Sequence, residues 1–206
     1  MTNILLHPAY FGPIDQFVAF AKADEVIFEN EDNYQKQTYR NRQYIYGANG
    51  KLLLNIPVQH AHNDGEHQLY KEVKIENNFH WQRDHWRSLQ TAYRTSPFFE
   101  YYEDDFAPLY EQKQVYLLDF NYHCLEVVLA ALSLDISFSK TTEYMEHPEN
   151  CTDLRNLIVS KREHPKNQTR YAQVFEEKHG FLKNLSVLDL IFNEGPAALE
   201  HLKNEG

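Results

Sequence analysis

The segment from Gln35 to Arg42 carries the residue types that bind anions. It holds three cations and several uncharged polar groups within eight residues. Guanidinium forks bind carboxylate or phosphate in a bidentate way, and a lysine adds a point charge. We therefore expect it to bind a small anionic donor such as a nucleotide, a sugar phosphate or an aminoacyl donor. The expected substrate-binding residues here are Gln35, Lys36, Tyr39, Arg40, Asn41 and Arg42.

An alternative interpretation of the same segment remains open. Glu29, Glu31 and Asp32 precede it in the chain, and they could neutralise its cations in a solvated loop. The two interpretations differ in one observable feature. A binding site requires cations that these carboxylates leave unpaired.

His7 is the first candidate for acid–base chemistry. It follows the apolar run Ile4-Leu5-Leu6, which is typical of a buried first strand. An unperturbed imidazole has a pKa of about 6.5, which suits a general base or a phosphate ligand. We expect His7 to be catalytic, with Tyr10 close by on the substrate. The alternative is a histidine that packs against Pro8 and Tyr10.

His85 is the second catalytic candidate. Trp81, His85 and Ser88 share one face of a predicted helix, and Tyr93 lies near its end. This face could stack a ring and offer an imidazole, so we expect Trp81, Ser88 and Tyr93 to bind substrate. The alternative is ordinary packing around a hydrogen-bonded histidine.

A third pattern, from His60 to His67, has the spacing of a partial metal site. His60, His62 and Asp64 fall in a polar loop after a predicted strand, but Gly65 stands where a further histidine would be needed. Zinc requires three or four converging ligands. We therefore assign no metal ligand and identify no cofactor from the sequence. A metal-dependent hydrolase remains an alternative.

Composition limits the other classes of function. The net charge of −10 argues against a nucleic-acid polymer as partner, and no apolar run reaches the length of a membrane span. Two cysteines make no disulfide framework, and no signal peptide is visible, so we expect a cytoplasmic protein. Glycine-rich phosphate loops and the nucleophile-elbow motif are absent from the sequence.

The elements that must position these residues alternate between strands and helices. A strand, a helix and a second strand at Val26–Phe28 open the chain, which favours a parallel or mixed sheet with flanking helices. A hairpin turning at Asn49-Gly50 follows, then a strand at Val73–Ile75 and a helix capped by Asn78. The remainder is more helical. We expect helices beginning at Asp104 or Asp105, over 118–132, 185–192 and 197–203, a strand at 136–138 and weak helix over 151–159. The class is α/β, and residues 1–206 form one domain.

The chain resembles the WbqC-like family along its whole length. The resemblance is carried by His7-Pro8-x-Tyr10-Phe11-x-Pro13, Tyr34-Gln35-Lys36, Arg40-Asn41-Arg42, Leu54-x-Ile56-Pro57-Val58, His85-Trp86, Tyr93-x-x-Ser96-Pro97 and Asn184 to Asn193. Two positions depart from the family pattern: His7 stands where glutamine is common, and Gly12 where phenylalanine is common.

The resemblance implies a role in bacterial surface polysaccharide. The family is associated with O-antigen gene clusters, and glycine or aminoacyl transfer has been suggested for its members. We therefore expect a lipopolysaccharide-related transferase that moves a small group onto a sugar, with His7 or His85 as base. A non-catalytic nucleotide- or sugar-binding module is the second hypothesis. The sequence indicates no oligomeric state.

Overall fold

The strands of the computed structural model form two separate sheets. The description covers residues 2–59, 67–162 and 168–205. In chain order the strands are β1 (Asn3–Leu6), β2 (Glu25–Phe28), β3 (Arg42–Gly47), β4 (Gly50–Asn55), β5 (Phe138–Lys140) and β6 (Thr152–Asp153). The four-stranded sheet has the order β5-β2-β1-β6, and all its pairs are parallel. Strands β3 and β4 form an antiparallel hairpin.

The helices surround both sheets. They are α1 (Ile14–Lys22), α2 (Trp81–Tyr93), α3 (Phe99–Phe106), α4 (Pro108–Glu111), α5 (Leu117–Ala131), α6 (Glu176–His179), α7 (Val187–Glu194) and α8 (Ala198–Asn204). Short 3-10 turns cover Tyr70–Glu72, Arg155–Ile158 and Gly195–Ala197. Among the described helices, none has the length and apolar character needed to cross a membrane.

Strands β1 and β2 form the centre of the core. Ile4 pairs with Val26 and Leu6 with Phe28, and all four side chains are buried. A parallel sheet covered on both faces needs such continuous apolar strands. A single buried cluster continues from these strands to Leu202 in α8.

The ends of the helices follow from their sequences in different ways. Pro13 precedes α1, Asp15 lies in its first turn and Lys22 in its last, so the charges complement the helix dipole. Ser186 caps α7 by accepting a hydrogen bond from the backbone N–H of Leu188. Apolar side chains of both helices enter the common core.

The strand order places a crevice between β1 and β6. The chain leaves β1 towards β2 and β5 on one side, and returns to β6 on the other side. Open α/β sheets bind ligands beyond the carboxyl ends of strands at such a switch point. Four polar residues follow these carboxyl ends: His7, Glu29, Thr141 and Arg155.

The α/β class with a mainly parallel sheet and flanking helices is confirmed, and several described helices lie in the C-terminal half. Four local predictions are wrong. Lys74 and Ile75 make single bridges to separate segments instead of a strand over 73–75, and α2 begins after His80 with no side-chain cap from Asn78. Helix α3 begins at Phe99 and not at Asp104 or Asp105. Residues 152–158 form a short strand and a 3-10 turn.

Candidate functional site

His7, Asp32 and Arg40 form one buried polar cluster beside the carboxyl end of β1. A terminal nitrogen of the Arg40 guanidinium lies 2.9 Å from Nε2 of His7 and 2.8 Å from Oδ2 of Asp32. Nε2 of His7 lies 3.1 Å from the same Asp32 oxygen. The three residues are only 3%, 9% and 1% exposed, so their charges are compensated among themselves.

Hydrogen bonds assign the state of the His7 imidazole. Its Nδ1 lies 3.3 Å from the backbone carbonyl of Glu29, where only an N–H can donate. Nε2 is then left as the acceptor for Arg40. Burial lowers the pKa of His7 below its ordinary value and outweighs the contact with Asp32, which acts in the opposite direction, while the positive charge of Arg40 lowers the pKa further. His7 is therefore a neutral imidazole at pH 7, as a general base requires.

Burial acts differently on the two charged members of the cluster. It tends to raise the pKa of Asp32, but the contact with His7 and the charge of Arg40 lower that pKa overall. Burial lowers the pKa of Arg40. Arg40 also lies over the ring of Tyr70, with 5.2 Å between the guanidinium carbon and the ring centre. Its backbone carbonyl accepts a 2.7 Å hydrogen bond from the Asn121 amide.

Glu29 is a fully buried carboxylate next to this cluster. Its oxygens accept hydrogen bonds from the Glu31 N–H, the Thr141 hydroxyl and the Met145 N–H, at 2.9, 2.7 and 2.9 Å. Arg155 approaches one of them at 3.4 Å. Glu29 is thus engaged in holding the connection between β5 and β6.

An open groove of about 420 Å³ lies along the base of the hairpin. It is bounded by the exposed end of the cationic segment on one side and by the chain after β4 on the other. Its lining residues are Tyr34, Lys36, Gln37, Asn41, Arg42, Asn55, Ile56, Pro57, Val58, Glu76 and Phe79. Of the residues expected to bind substrate between Gln35 and Arg42, three line this groove: Lys36, Asn41 and Arg42. Arg40 does not reach the groove because it is buried inside the protein.

Two cations of the groove are left unpaired by the carboxylates that could neutralise them. Glu31 pairs with Lys71, Asp32 with Arg40, and Glu29 with Arg155. Within the described residues, no ion pair includes Lys36 or Arg42. The alternative interpretation is therefore correct in one respect, because Asp32 neutralises Arg40. It is not correct for Lys36 and Arg42, and Arg40 itself is buried and not part of a solvated loop.

Tyr34 lies between the groove and the buried cluster. Its ring centre is 6.4 Å from that of Tyr70, and Arg40 lies over the same Tyr70 ring. Burial raises the pKa of Tyr34 to about 12, while the charges of Arg42 and Arg40 act in the opposite direction. The Tyr34 hydroxyl is therefore within electrostatic reach of both guanidinium groups.

His85 belongs to a different cluster. Its Nδ1 accepts a 2.9 Å hydrogen bond from the Tyr10 hydroxyl, which also lies 2.9 Å from the hydroxyl of Tyr110. Trp81 packs against the imidazole edge-to-face, with 5.3 Å between ring centres. Burial lowers the pKa of His85 to about 4, with a backbone hydrogen bond to Asn55 acting against it. The structure does not bring His85 into the His7 cluster.

The remaining expected substrate residues occupy scattered positions. Ser88 donates to the backbone carbonyl of Asp84 at 2.8 Å, and Tyr93 donates to the buried Asp189 at 2.8 Å. Tyr39 is buried, and its backbone N–H donates to Ile158. Gln35 is exposed, and its carbonyl accepts from the Thr38 hydroxyl.

Metal binding finds no support in the described part of the chain, which contains no group of three or more His, Cys, Asp or Glu placed to hold an ion. The predicted metal pattern falls almost wholly on residues 60–66, which lie outside the described residues. Its last member, His67, is described and exposed.

Sequence reasoning missed several groove residues. Asn55, Glu76 and Phe79 all line the groove, but they were not singled out from the sequence. In the structure, 64% of the Phe79 surface is exposed. Asn55 could have been found from the predicted hairpin, because the register set by its turn places Asn55 opposite Arg42 on the neighbouring strand. Asp32 was considered only as a neutralising charge, because the sequence does not reveal that it meets an imidazole.

The fold and this site define an α/β protein with its polar cluster at the carboxyl edge of a parallel sheet. The chain belongs to the WbqC-like protein family, whose sequence model matches residues 7–164. It is 25% identical over 213 residues to a Mycobacterium tuberculosis protein named "Uncharacterized protein Rv1507c", covering 91% of each chain. No solved structure matches the chain.

Proposed function

We propose that this protein binds a small anionic donor in the groove beside Arg42, for transfer of a small group during synthesis of bacterial surface polysaccharide. One observation carries the binding step. Lys36 and Arg42 line the same groove, and none of the ion pairs within the described residues includes either of them. The polysaccharide pathway is supported by the family association, and an aminoacyl group is the cargo suggested by the resemblance.

The energy available from these groups suits a metabolite. A hydrogen bond to a charged group contributes about 1.5–3 kcal/mol. Two or three such bonds to a phosphate or carboxylate, together with modest apolar contact, correspond to micromolar affinity, or about −8 kcal/mol. Arg42 is half-buried, so its charge is screened less by salt than a fully exposed cation.

His7 is our proposed general base. Its imidazole is neutral, and Arg40 with Asp32 fixes its orientation. Tyr34 lies between this cluster and the groove. In the transfer step, His7 would take the proton from an acceptor amine or hydroxyl as that group bonds to the acyl carbon of the donor, and the bond from this carbon to the donor phosphate would break so that the phosphate leaves as an anion. His85 has no part in this scheme because its imidazole is engaged with Tyr10.

A non-catalytic binding module is a second candidate. It is favoured by the burial of His7, whose two ring nitrogens are both engaged. The two candidates make the same prediction for binding but differ in whether the bound donor is consumed. Phosphorus NMR of an aminoacyl adenylate incubated with the protein and an amino sugar distinguishes them, because transfer of the aminoacyl group releases the nucleoside monophosphate.

The binding proposal is tested by calorimetry with inorganic pyrophosphate and a sugar phosphate. We expect Arg42→Ala to weaken binding at least tenfold, because one charge-assisted contact is lost. Arg42→Lys should lose less, since it keeps the charge without the bidentate fork. The matched control is Arg87→Ala, which removes an exposed arginine of α2 outside the groove.

The result that contradicts this proposal is equally specific. If neither anion binds the wild-type protein, or if Arg42→Ala and Arg87→Ala weaken binding equally, the groove is not an anion site. Near-equal dissociation constants in 50 and 300 mM salt would also count against a charged contact.

A further inference from the structure

The two walls of the groove differ in chemistry. The cationic wall carries Lys36 and Arg42, whereas Ile56, Pro57 and Val58 supply an apolar wall that ends at Phe79. Phe79 is 64% exposed, which is unusual for so large an apolar side chain. An anion alone has no use for this wall. A ligand that combines a charged group with a flat apolar group would contact both.

Backbone pairing fixes the order of these groups along the groove. Arg42 lies opposite Asn55 at the base of the hairpin. Two residues further on, the Pro57 carbonyl accepts a hydrogen bond from the Glu76 N–H at 2.8 Å. Extended chain advances about 3.3 Å per residue, so the Pro57 backbone that Glu76 contacts lies about 7 Å beyond the backbone of Asn55, which pairs with Arg42. Phe79 follows Glu76 by one tight turn, in which the Glu76 carboxylate accepts from the Asn78 N–H.

The cationic end also offers hydrogen-bonding atoms without partners. The Nε of Arg42 and the Oδ1 of Asn41 are both buried and have no hydrogen-bond partner among the described residues. Asn41 is itself only 5% exposed, and its amide nitrogen is held by the Ile56 carbonyl at 2.9 Å. An unpaired buried polar atom is costly, so both atoms favour a ligand that supplies an acceptor and a donor.

Resting on the proposed function, we propose that the anionic ligand of the groove is a nucleoside diphosphate or one of its conjugates. Lys36 and Arg42 bind the phosphates. Glu76 accepts hydrogen bonds from the ribose hydroxyls, as acidic residues do in dinucleotide folds. Phe79 stacks on the base. The order of charge, carboxylate and ring along the groove matches the order of phosphate, ribose and base along the ligand.

The experiment compares three probes on the full chain by calorimetry: uridine diphosphate, adenosine diphosphate and inorganic pyrophosphate. We expect the wild-type protein to bind both nucleotides about tenfold more tightly than pyrophosphate, because a base stacked on an aromatic ring adds about that much affinity. Phe79→Ala should remove this preference while leaving the dissociation constant of pyrophosphate unchanged. Tyr101→Ala is the control, since Tyr101 is 74% exposed and lies outside the groove.

A second comparison tests the ribose contact. Glu76→Gln should reduce the preference for uridine diphosphate over its 2′,3′-dideoxy analogue, which the wild-type protein should show by about fivefold or more. Glu76 and Phe79 are half-buried and exposed, respectively, so circular dichroism should show both variants folded.

The possible failures are distinguishable. If pyrophosphate binds and Arg42→Ala abolishes that binding, while the nucleotides bind no more tightly than pyrophosphate, the nucleotide inference is wrong and the proposed anion site stands. Equal losses in Phe79→Ala and Tyr101→Ala also overturn the inference. If none of the three probes binds, both proposals fail.

Discussion

Arg40 shows at the scale of one residue how the cationic segment is divided. It is among the largest side chains buried to below 2%, and it contacts His7, Asp32 and the Tyr70 ring. Taking a guanidinium out of water is costly unless a partner compensates its charge. Asp32 does so, and the remaining cations of the segment are left for the groove.

Replacement of Arg40 should therefore destabilise the folded protein and should change the pKa of His7. We expect Arg40→Met to lower the free energy of unfolding by about 3–5 kcal/mol, because Asp32 is left buried without its partner. The pKa of His7 should rise above its wild-type value, since a positive charge no longer opposes protonation. Urea denaturation measures the first effect, and an NMR titration of the imidazole measures the second.

Lys36→Met is the matched control for this prediction. Lys36 is exposed and belongs to no ion pair within the described residues, so its loss should change stability by less than about 0.5 kcal/mol. Equal stability of the two variants would mean that the buried cluster contributes nothing. An unchanged His7 titration in Arg40→Met would show that the two groups do not interact.

The sequence predicts the residue types of the candidate site better than their positions. The composition of Gln35 to Arg42 singles out the cations, and the position of His7 after a strand places it at the sheet edge. Which cation is buried depends on distant residues: Asn121 binds the Arg40 carbonyl, and the Ile158 carbonyl accepts from the Tyr39 N–H. No local pattern encodes such contacts.

At the scale of elements, periodicity locates helices but tertiary contacts decide where some of them begin. The acidic residues 104 and 105 look like helix caps, yet α3 begins at Phe99. The preceding Phe98 offers no side-chain cap, and its N–H donates to the Phe192 carbonyl of α7 at 3.0 Å. A contact between helices thus sets this boundary, and the sequence around it does not contain the information.

Gly195, at the end of α7, leaves space that the Phe98 ring before α3 occupies. Gly195 has φ of +53°, and a Cβ built on it would lie 2.5 Å from the Phe98 ring. We expect Gly195→Ala to lower the free energy of unfolding by about 2–4 kcal/mol, combining left-handed strain with overpacking. Thermal and urea unfolding measure the loss.

Gly180→Ala separates the two contributions. Gly180 also has a positive φ, of +75°, but a Cβ there meets no atom of the described residues within 4 Å. Its substitution should cost only the backbone strain, about 1–3 kcal/mol. Phe98→Ala should reduce the additional cost of Gly195→Ala in a double-mutant cycle. Equal costs for the two glycine variants would show that the ring relaxes without penalty.

At the scale of the whole molecule, Asp189 joins distant parts of the chain. It is fully buried in α7, and it accepts hydrogen bonds from Tyr93 at 2.8 Å, Tyr171 at 2.6 Å and Gln173 at 2.9 Å. The Tyr93 hydroxyl in turn accepts from the Tyr46 N–H of the hairpin. Burial raises the pKa of Asp189 to about 6 from the ordinary 3.8.

This carboxyl group should make stability fall as pH rises. The folded state holds the proton more tightly than the unfolded chain, so the contribution is present below pH 3.8 and is lost as pH rises through about 6. A shift of about two pKa units corresponds to about 3 kcal/mol. Relative to wild type, Asp189→Asn should therefore gain about 3 kcal/mol between pH 4 and pH 7 in urea unfolding.

Asp119→Asn, which changes an exposed residue of α5, is the control and should track the wild type across this range. If Asp189→Asn also tracks the wild type, then Asp189 is ionised in the folded protein at pH 4 and its hydrogen bonds outweigh burial. The network was not predictable from sequence, because Asp189 occurs in an apolar helix where nothing identifies its tyrosine partners.

The hydrogen bonds of Glu29 to the connection between β5 and β6 limit where that connection can change in length. Thr141 and Met145 bind opposite oxygens of one carboxylate, so the stretch between them is a closed ring of fixed size. An insertion or deletion inside this ring would detach one of its two ends. Residues 146–150 bear no such double attachment to Glu29 and are largely exposed, so they are the part of the crossover where a homologue can differ in length.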